Sequence, residues 1–197
     1  MSVIVDGAIL AAGVSSRMQK PKPLLEVGAE TFLQRGIDTL RSAGCRTVYV
    51  VANAQAEWAQ AAADELGFEL VVNPQLESEQ VDSVRMVVER LPADTRGLLV
   101  LPVDLPLVSA STAQSMVRAF TAEPGPLFLP FHNGVAGHPV LLGRELFDDV
   151  LNKPLTEGIR SLIMAHARDL REVTVIDPGV LIDIDTPDDY WRYVESK

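Results

Sequence analysis

Four short apolar runs, Gly7–Ala11, Thr47–Val51, Phe68–Val72 and Gly97–Leu101, alternate with helical stretches through the first hundred residues, and no other feature constrains the fold as strongly. The intervening stretches read as helices over Thr31–Ala43, Glu57–Leu66 and Asp82–Leu91, stopped by Gly44, Gly67 and Pro92 respectively. Runs that are nearly continuous in apolar residues suit strands buried on both faces, and strands separated by helices are joined by right-handed crossovers into a parallel sheet.

The second half changes rhythm. A helix is expected over Ser111–Ala122, then strands at Leu127–Phe131 and Pro139–Leu142, close enough in sequence to pair antiparallel or to lie at an edge. A helix near Gly158–Ala167, a strand at Val173–Ile176 and a last helix over Pro187–Val194 complete the order. No repeat, linker or low-complexity segment interrupts it, and Pro124-Gly125-Pro126 reads as a turn. The expected architecture is α/β: a Rossmann-like three-layer α/β/α arrangement around a mostly parallel, mixed central sheet, with residues 1–197 forming one domain.

The formal net charge of −10 argues against a nucleic-acid partner, because a polyanion is normally met by a basic surface. It does not argue against a nucleotide, which needs a few placed cations and a metal held by carboxylates. Cys45 is the only cysteine, so neither an intramolecular disulfide nor a cysteine-rich metal site can form. Met1–Asp6 is too short for the apolar part of a signal peptide, and no later run approaches the ~20 residues of a membrane span, so a cytoplasmic protein without a membrane partner is expected.

Chemistry concentrates where strands end. The first run passes into Leu10-Ala11-Ala12-Gly13, small residues that let a ligand approach the backbone, and Arg17 and Lys22 follow. Neither a dinucleotide GxGxxG nor a Walker GxxxxGKS pattern is present. Arg17 instead offers a planar fork of donors and Lys22 a point charge, a pair suited to polyphosphate oxygens. Asp104 ends the fourth apolar run just before Leu105-Pro106, where an aspartate serves equally as a turn acceptor or as a metal ligand. Further on, Thr186, Pro187 and Asp189 form the grammar of a helix start, which leaves Asp183 and Asp185 just ahead of it, one of them available to a metal.

Together these segments resemble the MobA-like NTP transferase family, most closely its molybdenum cofactor cytidylyltransferase branch, from Ala8 to Tyr190. The resemblance implies a nucleotide-diphospho-sugar transferase type of fold and an Mg²⁺-dependent (or Mn²⁺-dependent) enzyme that moves a nucleoside monophosphate from an NTP onto a small phosphorylated acceptor. It assigns Leu10, Ala11, Ala12 and Gly13 to the base, and Arg17 and Lys22 to the triphosphate. Val103-Asp104-Leu105-Pro106 and Asp183-Ile184-Asp185-Thr186-Pro187 are similar to the two metal-binding motifs, which gives the metal to Asp104 and Asp185 and leaves Asp183 to support its loop. Asn73 and Ser83 match a segment near the nucleotide or the acceptor, and Gly137-His138-Pro139 and Gly158-Ile159-Arg160 match acceptor-side motifs, so Gly137, His138 and Arg160 are acceptor candidates. Guanylyl-transferring relatives tend to carry a glycine at the place of Ala12, so CTP is favoured over GTP. A molybdopterin-type acceptor is then expected, with a molybdoenzyme as the partner that receives the product. A sugar- or polyol-phosphate cytidylyltransferase is the alternative enzyme, and a nucleotide-binding cofactor carrier without turnover the alternative outside enzymes. The departures that motivate the last are Gln19 and Glu79, where the family has glycine, and Thr156, where it has an acid.

Overall fold

The computed structural model describes residues 3–13, 18, 20–75 and 79–195. Among these residues ten strands and seven α-helices follow in chain order. The strands are β1 Val5–Ala11, β2 Glu26–Val27, β3 Glu30–Thr31, β4 Val48–Asn53, β5 Glu69–Asn73, β6 Gly97–Pro102, β7 Leu127–His132, β8 Val135–Ala136, β9 Val140–Gly143 and β10 Leu170–Thr174. The helices are α1 Phe32–Ser42, α2 Trp58–Leu66, α3 Gln80–Val88, α4 Ala110–Ala122, α5 Phe147–Asn152, α6 Ile159–Ala165 and α7 Pro187–Tyr190.

The central sheet has the order β10-β7-β9-β6-β1-β4-β5, with β8 paired to β7, while β2 and β3 form a separate hairpin. β1 lies between β4 and β6 and is parallel to both; β5 continues this half in parallel. β9 runs antiparallel to both β6 and β7, and β10 is parallel to β7. The expected mostly parallel, mixed sheet is therefore present. β9 is antiparallel as anticipated but is interior rather than an edge, and its four residues are all buried.

Strand pleating divides the apolar side chains between two layers. Ile9, Val50, Leu99 and Leu101 face α1 and α4, packing with Phe32, Ile37, Leu40, Met116 and Phe120. Ala8, Leu10, Val51, Leu98 and Val100 face the other way, against Val84 and Val87 of α3, Val150 of α5 and Leu162 of α6. These two cores, one on each side of the sheet, make the three layers. Helix ends obey local chemistry: Thr31 accepts from Gln34 N (3.1 Å) to start α1, and Gly67 closes α2 in the left-handed region (φ 67°).

Three boundaries differ from expectation. α5 has six residues, too short to carry a readable helical period, and is not among the helices expected from the sequence. The last strand lies at Leu170–Thr174 instead of Val173–Ile176, because it is a sheet edge whose residues are largely exposed; Ile176, whose character suggested a strand, is 96 % exposed. The last helix begins at the expected Pro187 but widens into a π-turn over Trp191–Glu195.

Candidate functional site

The parallel strands all deliver their carboxyl ends to one edge of the sheet. Because β9 is reversed, its amino end, with His138 and Pro139 just before it, arrives at the same edge. The ends of β1 and β6 are pinned together there, since Val103 N donates to Leu10 O (3.1 Å). Asn53, at the end of β4, donates from Nδ2 to Ala12 O (3.2 Å) and so braces the turn leaving β1. A cleft of about 120 Å³ opens over these ends, lined by Leu10, Ala11, Ala12, Gly13, Lys22, Ser83 and Asp104.

The segment carrying Asp185 is fixed to β6 by backbone. Ile184 N donates to Asp104 O (2.8 Å), and the Ile184 side chain is fully buried, which turns its neighbours Asp183 and Asp185 away from the core. Asp189 accepts from Asp185 N (3.2 Å) and Thr186 N (2.9 Å), while Thr186 Oγ1 accepts from Asp189 N (3.2 Å), the reciprocal capping box read from the sequence. Asp189 thus supports the loop on which Asp183 and Asp185 lie. Partial burial first, and then the charges of Asp104 and Asp185, raise the Asp183 carboxyl above its ordinary range, with Lys22 acting in the opposite sense.

Lys22 joins the two aspartates. Its ammonium contacts Asp104 Oδ2 at 3.4 Å and makes a close ion pair with Asp185 Oδ1. A single cation reaching both oxygens brings Asp104 and Asp185, 81 positions apart, to one point of the cleft. Among the described residues no group of three His, Cys, Asp or Glu side chains could hold a metal ion. A divalent ion here would rest on two carboxylates, with substrate oxygens and water completing its shell, as Mg²⁺ often does beside phosphates. Hard anionic oxygens converging on one cation are a donor set that fits Mg²⁺ or Mn²⁺.

A second, more open cleft adjoins the first. Glu79 and Gln80, at the start of α3, line both, and His138, Glu157, Gly158 and Arg160 complete the second. Desolvation holds the His138 imidazole below its usual pKa, partly offset by the Asp104 charge, so it is neutral at pH 7. Arg160 is largely exposed, and its Nε lies 3.9 Å from Glu157.

The geometry sorts the residues singled out in the sequence. Leu10, Ala11, Ala12, Gly13, Lys22, Ser83 and Asp104 line the first cleft, Asp185 meets it through Lys22, and His138 and Arg160 line the second. Arg17 and Gln19 lie outside the described residues. Two candidates sit elsewhere. Asn73 is buried at the end of β5, where its Oδ1 accepts from Gln75 N (2.9 Å), and it borders a separate hollow with Arg85 and Glu89. Gly137 is a packing position: a Cβ there would stand 2.3 Å from Val180 O, and its N–H donates to Pro130 O (2.9 Å). Asn53 and Gln80 were missed. Asn53 had a signal, an asparagine closing a strand beside the first loop, whereas Gln80 lies ahead of the helix expected from Asp82 and carries no such signal.

Residues 7–170 match the family described as the MobA-like NTP transferase domain. The chain belongs to that family. Among curated relatives, this MobA-like transferase is 25% identical over 186 residues to the molybdenum cofactor cytidylyltransferase of Escherichia coli K12, covering 94% of this chain and 93% of the relative. Among solved structures, Rv0371c of Mycobacterium tuberculosis H37Rv is 28% identical with a TM-score of 0.86, and each chain is covered in full. The structure of Rv0371c in complex with manganese aligns with 27% identity and a TM-score of 0.82, over 99% of this chain and 100% of that one. The MobA-like chain is thus an enzyme of the nucleotidyltransferase type. Among its described residues no helix is long and apolar enough to cross a membrane.

Proposed function

We propose that this transferase moves CMP from CTP onto a small phosphorylated acceptor of the molybdopterin type and releases pyrophosphate. The observation that carries the reading is the meeting of Asp104 and Asp185 on one cation at the cleft lined by Leu10, Ala11, Ala12 and Gly13. The similarity to a molybdenum cofactor cytidylyltransferase over nearly the whole of both chains supports the acceptor class and the base. A molybdoenzyme is then the natural recipient of the product.

In this reading the nucleoside lies against Leu10–Gly13, where the buried Ala12 methyl limits room for a purine, and Lys22 meets the phosphates. Asp104 and Asp185 would hold the divalent ion, which when bound offsets charge on the triphosphate and stabilises the departing pyrophosphate. The body of the acceptor occupies the second cleft, with Glu79 and Gln80 between it and the nucleotide. An acceptor phosphate is already ionised at pH 7, so the chain supplies position and charge rather than a general base. The neutral His138 is suited to hydrogen bonding there.

The test is a thermal-shift panel of the four NTPs with Mg²⁺, followed by pyrophosphate release with molybdopterin and with sugar and polyol phosphates. CTP should raise the melting temperature most, since binding to the native state stabilises by mass action. A larger shift with GTP would refute the base assignment. Release that depends on a sugar phosphate but not on molybdopterin would refute the acceptor.

A further inference from the structure

Lys22 is placed to serve two partners, and its position bears on how the site is loaded. Its backbone is fixed by a short turn: Pro21 and Pro23 flank it, Leu24 N donates to Pro21 O (2.9 Å) and Leu25 N to Lys22 O (3.0 Å). Only the side chain is left to move. That side chain lines the cleft with the strand-end backbone of Leu10–Gly13, yet its ammonium rests between Asp104 and Asp185. It is only 14 % exposed there, well inside the cleft mouth.

From this arrangement we infer that Lys22 acts as a built-in counter-ion that holds the Asp104–Asp185 pair against divalent metal until a nucleotide triphosphate draws the ammonium away. The inference rests on the metal and nucleotide roles proposed above. Two carboxylates facing one cleft repel each other, and an ammonium between them removes that repulsion while competing with an incoming ion for the same oxygens. A polyphosphate entering along Leu10–Gly13 offers Lys22 a second set of anionic oxygens within reach of the same flexible stem. As Lys22 turns to the phosphates, the carboxylates become available. By linkage each ligand then tightens the other by the same factor, so metal and nucleotide load together. Lys22 is in this respect a positioning residue, and its loss has opposite effects on its two partners.

The experiment titrates Mn²⁺ alone into the nucleotide-free protein and follows the free ion by electron paramagnetic resonance, for wild type, Lys22→Met, Lys22→Arg and Asp185→Asn. Lys22→Met should bind Mn²⁺ about tenfold more tightly than wild type, while its affinity for CTP in the absence of metal falls by about tenfold or more. Lys22→Arg, which keeps a cation, should stay near wild type for Mn²⁺. Equal or weaker Mn²⁺ binding by Lys22→Met, with binding still lost in Asp185→Asn, overturns the counter-ion role and leaves the metal pair standing. No Mn²⁺ binding by Lys22→Met at millimolar concentration overturns both. A wild-type protein that binds Mn²⁺ in the low micromolar range without nucleotide overturns the inference without any variant.

Discussion

Asp6 offers a sharp separation of structural from chemical carboxylates, because it is fully buried yet stands at the opposite edge of the sheet from the cleft. Its Oδ1 accepts from Arg46 Nε and from Thr47 N, both at 3.1 Å, and its Oδ2 accepts from the Arg46 guanidinium at 2.7 Å and Thr95 Oγ1 at 2.6 Å. Arg46 and Thr47 lead into β4, and Thr95 leads into β6, so one carboxylate ties the entries of the two strands flanking β1. Asp6→Asn keeps the shape but turns an amide N–H toward one set of donors. Breaking a buried ion pair costs about 3–5 kcal/mol. The Arg46 side chain is 35% exposed and keeps Asp94 at 2.9 Å, which puts the expected loss at the lower end, about 3 kcal/mol. For a chain of this size that is a drop of about 6–12 °C in melting temperature by calorimetry. Turnover per folded molecule at 25 °C should stay within about twofold of wild type, because the carboxyl ends of the strands keep their mutual bonds. A melting temperature lowered by less than about 2 °C would show that the network is not holding the strand entries. Lost turnover in a protein that remains folded would show that Asp6 is coupled to the chemistry.

The remaining outcomes concern the two clefts. Asp104→Asn and Asp185→Asn should each cut metal-dependent pyrophosphate release by orders of magnitude with melting temperature nearly kept, and Asp183→Asn should be milder; equal losses for all three would refute the division of roles. His138 titrates below its usual 6.5 in the folded chain, so between that lowered value and about 6.5 the unfolded state binds more protons and stability must rise with pH. Urea unfolding between pH 5 and 7.5 should therefore steepen by at most about 1.4 kcal/mol per pH unit in wild type relative to His138→Gln, and identical profiles would refute the depressed pKa.

Much of the nucleotide side was legible because its chemistry sits in contiguous segments whose local grammar is strong. An apolar run that ends in Leu10-Ala11-Ala12-Gly13 must put that turn at the carboxyl edge of a parallel sheet, and Asp104 follows another such run, on the strand directly beside β1, in the same cleft. Thr186, Pro187 and Asp189 declared the start of α7, which isolated Asp183 and Asp185 ahead of it. What no local pattern could supply was the backbone bond from Ile184 N to Asp104 O, the long-range contact that turns two motifs into one site. The pairing of Lys22 with both aspartates has the same origin, since its partners lie 82 and 163 positions away.

The acceptor side was less legible, and the reason is visible in particular residues. Gly137 stood in a motif beside His138 and so looked like a binding residue, but the close approach of Val180 O is what demands a glycine there. Asn73 closes a strand as Asn53 does, yet only Asn53 lies next to β1's exit, because the sheet order β1-β4-β5 sets Asn73 one strand farther out. Sequence cannot tell these two asparagines apart without the strand order. Glu79 reads in the sequence as a departure from a family glycine; with the helix α3 beginning at Gln80, it becomes part of the wall shared by both clefts, its carboxylate near Gly158. A carboxylate at that boundary repels an anionic group that comes close to it and accepts hydrogen bonds from amino or hydroxyl donors, so under the proposed function this departure from the family pattern bears on which acceptor fits the second cleft.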